Sequence, residues 1–451
     1  MDLAGQVVVV VGLARSGVAA ARFLARHGAR VVATDSKGPD GFEDSVLSLP
    51  REGVRLELGG HHKTTLLGAD LVVVSPGVPW DLPVLKIARG AGVSVVGELE
   101  FGSRFIRGPI AAVTGTKGKS TTTSALGAML REDGRDARVG GNIGAPVTSL
   151  LEGQGEKTIY ALEVSSFQLE ASQEFRPRVA VFLNLTPDHL DRHKDFGSYR
   201  EAKARIFENQ GADDFAVVNR DDPEVAPLAR RGRARVVSFG ESPAEGAFFD
   251  GDEAVLRDGA QREVLFSRSS VSLFGPHLAL DVLAAATAAR LLGASPEAIA
   301  RAASGLRSSA HVLEEVGSLA GVRFVDDSKA TNVDAARKSL EAFPPFVVPI
   351  LGGRFKGGDL RLLREPVSAR ARSVVAIGEA QERIAEALRG TVPLLRGSSL
   401  EDAVERAFRA AKPGDVVLLA PACASFDMFP DYAARGEAFK AAVAALLERE
   451  G

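Results

Sequence analysis

Cysteine is almost absent from this 451-residue chain: Cys423 stands alone. One thiol excludes an internal disulfide framework and fits a reducing compartment. An excess of one charge is also missing, since 55 basic and 58 acidic side chains leave a net charge of −3. The charges are interspersed, and nothing in that balance favours nucleic acid or an anionic membrane as a partner. No apolar run approaches the ~20 residues of a membrane-spanning helix. The opening Met1-Asp2-Leu3-Ala4-Gly5-Gln6 lacks the basic start of a signal peptide, and the apolar run at 7–11 reads as a strand. There is no low-complexity tract and no long linker. What remains, 45% hydrophobic and 25% charged residues, is the composition of a soluble globular protein, with the cytoplasm as its expected setting. The chain is too long for one core and suggests about three domains.

Short β-branched runs alternate with alanine-rich helical stretches almost throughout, the pattern of α/β domains with largely parallel sheets. Expected strands at 7–11, 31–34, 71–74 and 93–96, with a helix at 17–27, make a Rossmann-like N-terminal domain over residues 1–109. A central domain of the P-loop ATPase kind spans 110–307, with strands at 158–164 and 179–184 and a helix at 278–292. A second Rossmann-like domain spans 308–451. Its strands are expected at 322–325, 347–351, 374–377 and 416–420, its helices near 333–342, 380–388, 400–410 and 432–448.

The most informative residues are Gly115-Thr116-Lys117-Gly118-Lys119-Ser120-Thr121, between the apolar run 110–114 and a helix-like stretch at 122–131. A strand feeding a glycine loop feeding a helix is the geometry that holds a nucleoside triphosphate. Backbone N–H groups and the helix N-terminus face the phosphates, Lys119 reaches the β and γ oxygens, and Ser120 or Thr121 holds Mg²⁺. The strict pattern needs a glycine at 113, where this chain has Val113, so the loop is a shortened variant. ATP is the expected ligand.

Other polar groups collect behind this loop. Glu163, near the end of the strand at 158–164, is a single carboxylate beside a triphosphate and so a candidate Mg²⁺ ligand. The next strand ends in Asn184-Leu-Thr-Pro-Asp-His189-Leu-Asp191-Arg-His193, a crowd that folding alone explains poorly. His189 is its best metal or substrate ligand, while His193 reads as solvated. Lys203 reads by itself as a surface helix lysine, and the pair His61-His62 as solvated. Asn142, in a glycine-rich turn, is placed to bring an amide near the γ-phosphate.

In the first domain, Gly12-Leu-Ala-Arg-Ser-Gly17 follows the first strand, and Asp35 closes the second where a dinucleotide fold puts its ribose-binding acid. Position 14 is Ala, so the G-x-G-x-x-G spacing of a dinucleotide site is not met. A second glycine turn, Ser75-Pro76-Gly77-Val78-Pro79, ends another strand. Together the two turns read as a cradle for a nucleoside diphosphate, with backbone N–H groups and Ser16 facing the phosphates.

Taken together these motifs resemble the Mur ligases, the ATP-dependent amino-acid-adding enzymes of peptidoglycan precursor synthesis, and within them the D-glutamate-adding branch. The resemblance covers all three domains. It includes Gly97-Glu-Leu-Glu100 in the first and Glu163-Val-Ser-Ser-Phe-Gln-Leu-Glu170 in the second. In the third it rests on Asp327-Ser-Lys-Ala-Thr-Asn332, Leu351-Gly-Gly-Arg-Phe-Lys356-Gly-Gly-Asp359 and Pro421-Ala-Cys-Ala-Ser425-Phe-Asp427, followed by Arg435-Gly436. The Asp-Asn-Pro-Arg signature of the diaminopimelate- or lysine-adding branch is absent.

The resemblance implies that ATP phosphorylates the terminal carboxylate of UDP-MurNAc-L-Ala and that the amine of D-glutamate displaces the phosphate. It implies two Mg²⁺ ions: Ser120 and Glu163 match ligand positions, His189 that of a second-metal ligand, and Lys203 the lysine that the family carbamylates. Gly115, Thr116, Lys117, Gly118, Lys119, Ser120, Thr121, Asn142, Asp281 and Asp327 would meet ATP, Asp327 at the ribose. Leu13, Ala14, Ser16, Asp35, Ser36, Ser75 and Gly77, with Asn142 and His189, would meet the UDP-linked substrate. Lys356, Ser425 and Tyr432, with Phe426, match positions that bind D-glutamate, and Lys329, Thr331 and Asn332 flank them. The expected protein is a monomer acting on small molecules.

Three departures from the family pattern stand out. Lys117 replaces the more usual Asn. Gly275-Pro-His277-Leu278-Ala-Leu-Asp281 replaces Gly-x-His-Asn-x-x-Asn, so the adenine contact falls to Asp281. His311-Val312 replaces His-Arg, removing an arginine that faces ATP phosphates; Lys117 is one cation placed to compensate. Two rival readings are a ligase of another substrate, of folylpolyglutamate or other Mur type, and a non-catalytic nucleotide-binding regulator. The first-domain turns and the Ser425 motif argue against the first, and Lys119, Glu163, His189 and Lys203 against the second.

Overall fold

The computed structural model describes residues 2–190, 192–242, 244–271, 276–307 and 310–450. It contains three sheets, and the chain divides into two compact units. The first unit is Met1–Ser270 with Leu280–Ser304, so the first two predicted domains cluster together. The second is Val271–Ala279 with Gly305–Gly451.

The sheet of the first predicted domain contains β1 (Val7–Val11), β2 (Arg30–Asp35), β3 (Arg55–Leu58), β4 (Leu71–Val74) and β5 (Ser94–Gly97), in the order β3-β2-β1-β4-β5. All four pairings are parallel. β1 is five valines, and it is central and almost wholly buried, as a β-branched run covered on both faces should be. The chain order reverses direction at β1, whose neighbours are β2 and β4. In such sheets the crevice beyond the strand ends at this point collects ligands. The sequence pattern does not mark β3, because Arg-Leu-Glu-Leu has no β-branched residue to signal it.

The second sheet is nine-stranded: β6 (Ile110–Thr114), β7 (Ala137–Gly141), β8 (Ile159–Glu163), β9 (Val179–Phe182), β10 (Phe215–Asn219), β11 (Arg235–Gly240), β12 (Gly246–Asp250), β13 (Glu253–Asp258) and β14 (Gln261–Ser267). Its order is β14-β13-β12-β11-β10-β9-β6-β8-β7, parallel except for the meander β12-β13-β14. β6 lies between β8 and β9, with Val113 opposite Glu163 and Thr114 opposite Phe182. The topology therefore seats the loop after β6 beside Glu163 on one side and Asn184 on the other. The meander goes unmarked in the sequence because charged residues at 253, 257–258 and 262–263 interrupt its short apolar runs without a regular alternation.

In the second unit, β15 (Glu314–Leu319), β16 (Val322–Asp326), β17 (Val347–Gly352), β18 (Val374–Ile377), β19 (Leu394–Arg396) and β20 (Val416–Leu419) run in the order β15-β16-β20-β17-β18-β19. Only the pairing of β15 with β16 is antiparallel. Asp326 and Leu419 are paired, as are Leu419 and Ile350. The three third-domain motifs consequently leave the sheet at the carboxyl ends of adjacent strands.

Candidate active site

β6 delivers the chain into the phosphate loop, where Gly115 and Gly118 have φ of 155° and 83°. A Cβ at position 118 would lie 2.2 Å from Oδ1 of Asp281, so glycine is required, and the buried Asp281 is set directly against the loop. The helix Lys119–Glu132 then begins. Nζ of Lys119 donates to the carbonyls of Gly115 and Thr116, both at 3.0 Å. Asn184 splints the loop: its Oδ1 accepts from Lys117 N at 2.8 Å and its Nδ2 donates to Lys117 O at 3.0 Å. Tyr199 lies 3.2 Å from the Thr116 hydroxyl, and burial pushes its phenol up to about 12. Lys117 pairs with Asp188 at 3.7 Å.

Glu163, 2% exposed, closes β8. One carboxylate oxygen accepts from Ser120 Oγ at 2.6 Å and the other from Asn142 Nδ2 at 2.7 Å. Carboxylate and hydroxyl thus meet at the mouth of the loop, a hard-oxygen pair of the kind Mg²⁺ takes together with phosphate oxygens. Thr121 lies half-buried in the first turn of the helix behind Ser120.

The surface reading of Lys203 is overturned. It lies on the helix Phe196–Ala204 and is 2% exposed. Nζ donates to the Gly115 carbonyl at 2.8 Å and the Thr114 hydroxyl at 3.3 Å, and stands 4.9 Å from the Tyr199 ring centre. Burial, and then the neighbouring Lys119, hold its pKa well below that of an ordinary lysine. The solvated reading of His193 is likewise corrected: it is 6% exposed, stacks on Phe167 and has Nε2 3.0 Å from Ser166 Oγ. His189 is exposed, with φ of 54° and an edge contact to Phe167. Asp191 and Gly275 lie outside the described residues.

A cleft of about 1660 Å³ opens in the first unit, lined among others by Gly12, Leu13, Ala14, Asp35, Ser36, Ser75 and Gly77. β1 and β4 are neighbours, so the two glycine turns converge: Ser75 Oγ donates to Gly12 O at 2.7 Å. A Cβ on Gly17 would lie 1.8 Å from that carbonyl, which is why the helix Arg15–Arg26 can start so close to the strand. Asp35 accepts from Leu13 N at 2.8 Å and from Lys37 N at 3.0 Å. Ser16, Asn142 and His189, also expected to contact the UDP-linked substrate, are not among the residues lining this cleft. His61, expected to be solvated, is half-buried and lines it.

Gly97-Glu-Leu-Glu100 does structural work that sequence reasoning misses. Glu100 accepts from the backbone N–H groups of Gln173, Glu174 and Phe175 at 3.0–3.1 Å. Glu98, 1% exposed, accepts from Thr148 N at 3.0 Å and Thr148 Oγ1 at 2.9 Å, and its other oxygen is buried without a partner among the described residues. Burial pushes the Glu98 pKa up to about 6. Two acidic residues in a helix's first turn are the available signal, but their partners lie far away in sequence.

In the second unit, Ser425 is buried, whereas Lys329, Lys356, Phe426 and Tyr432 are exposed and Thr331 is half-buried. Nζ of Lys356 stands 5.0 Å from the Phe426 ring centre. Asn332 caps the helix Val333–Glu341 through the N–H of Ala335 at 2.8 Å. Asp327 turns inward, accepting from Leu313 N and Ser339 Oγ, and burial pushes its pKa up to about 6. Arg435 is 1% exposed and donates to the carbonyls of Ser328 and Cys423 at 2.9 and 3.1 Å. His311 Nδ1 lies 2.7 Å from Asp326, and Leu278 packs into this unit's apolar core.

The fold and the loop together define an α/β class built to hold a nucleotide's phosphates, and family comparison identifies which. Residues 6–97 match the Mur ligase MurD-like N-terminal domain, 113–289 the Mur ligase middle domain, and 311–423 the Mur ligase glutamate ligase domain. The chain belongs to the Mur ligase family. Relatives from Acidobacterium capsulatum and Desulfosudis oleivorans, each 46% identical over 98% of this chain and 96% of their own, bear the name UDP-N-acetylmuramoylalanine–D-glutamate ligase. Among solved structures, a pseudomurein peptide ligase type C from Methanothermus fervidus superposes with a TM-score of 0.61 at 18% identity, covering 98% of this chain and 100% of that one. MurF ligase from Thermotoga maritima, in complex with ADP, gives 0.61 at 19% identity, covering 99% and 96%. These two likenesses concern the fold. No helix of the described residues is long and apolar enough to cross a membrane.

Proposed function

We propose that this chain is the ATP-dependent ligase that joins D-glutamate to UDP-N-acetylmuramoyl-L-alanine in peptidoglycan synthesis. The observation that carries the reading is the convergence on one phosphate loop of Lys119, the Ser120–Glu163 pair and the buried Lys203. The names borne by relatives at 46% identity over nearly the full chain support the choice of substrates.

A carboxylate is a poor acyl donor until one oxygen becomes part of a leaving group. The γ-phosphoryl group of ATP moves to the alanyl carboxylate, its bond to the β-phosphate oxygen breaking as the new O–P bond forms, with ADP released. The amine of D-glutamate then attacks the carbonyl carbon; the C–N bond forms, the C–O bond to phosphate breaks, and the nitrogen loses a proton. There is little covalent work for the protein, which positions the reactants and meets transferring charge. The loop N–H groups and Lys119 face the phosphates, and Asn184 holds the loop in shape. Mg²⁺, when bound, would neutralise charge on the phosphate oxygens; Ser120 and Glu163 would hold it, with His189 serving a second ion.

Lys203 as an ammonium beside Lys119 has the wrong sign for a cation site. With its pKa lowered it supplies the neutral amine that takes up CO₂ as a carbamate, and so becomes an anionic oxygen donor. In the second unit, Lys356 and Ser425 would meet the carboxylates of D-glutamate, flanked by Lys329, Thr331, Phe426 and Tyr432. The setting we assign is the cytoplasm. The test is an amino-acid panel with ATP and UDP-N-acetylmuramoyl-L-alanine. D-glutamate should be used and D-glutamine rejected by two orders of magnitude or more, on the order of 3 kcal/mol, because the amide leaves a charged pocket unpaired. Comparable turnover with D-glutamine, L-lysine or diaminopimelate assigns the chain to a different ligase.

A further inference from the structure

His61 follows β3 and lines the first-unit cleft beside Asp35, Ser36, Lys37 and Phe42. Its surroundings determine which ring nitrogen carries the hydrogen. The buried Thr34 hydroxyl lies 2.8 Å from the Gly60 carbonyl and 3.1 Å from Nδ1 of His61. A hydroxyl has one hydrogen and a carbonyl only accepts, so Thr34 spends its hydrogen on Gly60 and must accept from His61. Nδ1 is therefore the protonated nitrogen, and Nε2 keeps a lone pair. The N–H groups of Gly59 and Gly60 both donate to Asp35 O at 3.0 Å, which fastens this turn to the end of β2. Burial lowers the pKa of His61, against the opposing pull of Asp35, and this keeps the ring neutral near pH 7.

The position in the sheet says what the lone pair meets. Asp35 closes β2, where a nucleotide's ribose is held, and His61 follows β3, one strand further from the phosphate turns. We propose that His61 reads the base of the bound nucleoside diphosphate, its Nε2 accepting from the N3–H of uracil; this rests on the reading of the cleft as the seat of a UDP-linked substrate. Cytosine presents a lone pair at the same ring position and would face a second acceptor. His61 is thus the residue that rejects a cytidine nucleotide.

Titration calorimetry with UDP and CDP on the full chain tests this. The wild type should bind UDP about tenfold or more tightly than CDP, the scale of one hydrogen bond gained against one acceptor clash. His61→Leu should lose about tenfold for UDP and show no preference between the two, while its ATP affinity stays at the wild-type value. His61→Gln, whose amide can present either a donor or an acceptor, should keep UDP affinity within about threefold yet bind CDP almost as well. That last pattern is one that a merely structural role would not produce. An undiminished UDP-to-CDP ratio in His61→Leu and His61→Gln overturns the proposal. Failure of the wild type to bind UDP at all instead overturns the reading of the cleft.

Discussion

The first-unit cleft and the phosphate-loop centre start from the same device, a strand, a glycine turn and a helix, and then diverge. After β1, the turn is met by one hydroxyl and one carboxylate, both spent on backbone groups: Ser75 donates to Gly12 O, and Asp35 accepts from Leu13 and Lys37 N–H groups. After β6, the turn is met by charge: Lys119 and Lys203 both donate to the Gly115 carbonyl, with Glu163 behind Ser120. On the proposed function, the difference follows from the work. Holding a nucleotide needs shape and a few directed hydrogen bonds, whereas moving a phosphoryl group needs preorganised charge. Changes in the centre should therefore abolish turnover, and changes around the cleft should act by degrees.

The largest effect is expected for Lys119→Ala. Turnover should fall by on the order of 3 kcal/mol in activation free energy or more, while calorimetry with the UDP-linked substrate should show nearly wild-type binding, since the cleft and the loop are separate sites. Phosphate release at the wild-type rate would erase the contrast between the two regions. Next comes Lys203→Ala, which should lose most activity and regain part of it when a small carboxylic acid is added, the acid supplying the carbamate's oxygens. Lys203→Arg should show no rescue, because the guanidinium fills the space and keeps the charge. Near-normal turnover of Lys203→Ala without additive would make this residue a buried structural lysine.

The smallest effect concerns the joint between the two regions. Glu98 has its folded pKa raised from 4.5 to about 6, so its stabilising contribution is fully present below pH 4.5 and is lost as pH rises through 6. A shift of that size corresponds to about 2 kcal/mol. Glu98→Gln removes the titration, so relative to the wild type the variant should gain unfolding free energy by about that amount between pH 4.5 and 7. Denaturation at both pH values checks it; an unchanged difference would mean that Glu98 is solvated in solution.

Much of the fold and of the phosphate-loop centre is legible in the amino-acid sequence. Hydrophobic periodicity and the glycine turns mark the strands that carry the chemistry, because those strands are central, buried on both faces and hence rich in β-branched residues. Arg55–Leu58 and the meander at 246–267 go unmarked, since the first has no fully buried position and charged residues interrupt the apolar runs of 253–267. Motifs assign Lys119, Ser120 and Glu163 their places, for those residues act within one loop and its neighbouring strand. Lys203, His193 and His61 are misjudged when read alone, because burial depends on which distant segment covers a residue. Glu98, Glu100 and Asn184 act through backbone groups far away in the chain, and no local pattern announces such partners.

The central claim is that a single enzyme couples the phosphate loop to both other substrates. The most direct measurement is phosphate release from ATP with each substrate omitted in turn. Rapid release is predicted only when UDP-N-acetylmuramoyl-L-alanine and D-glutamate are both present, with one amide formed per phosphate. Release independent of either one, or binding of ATP with no turnover under any combination, would contradict it.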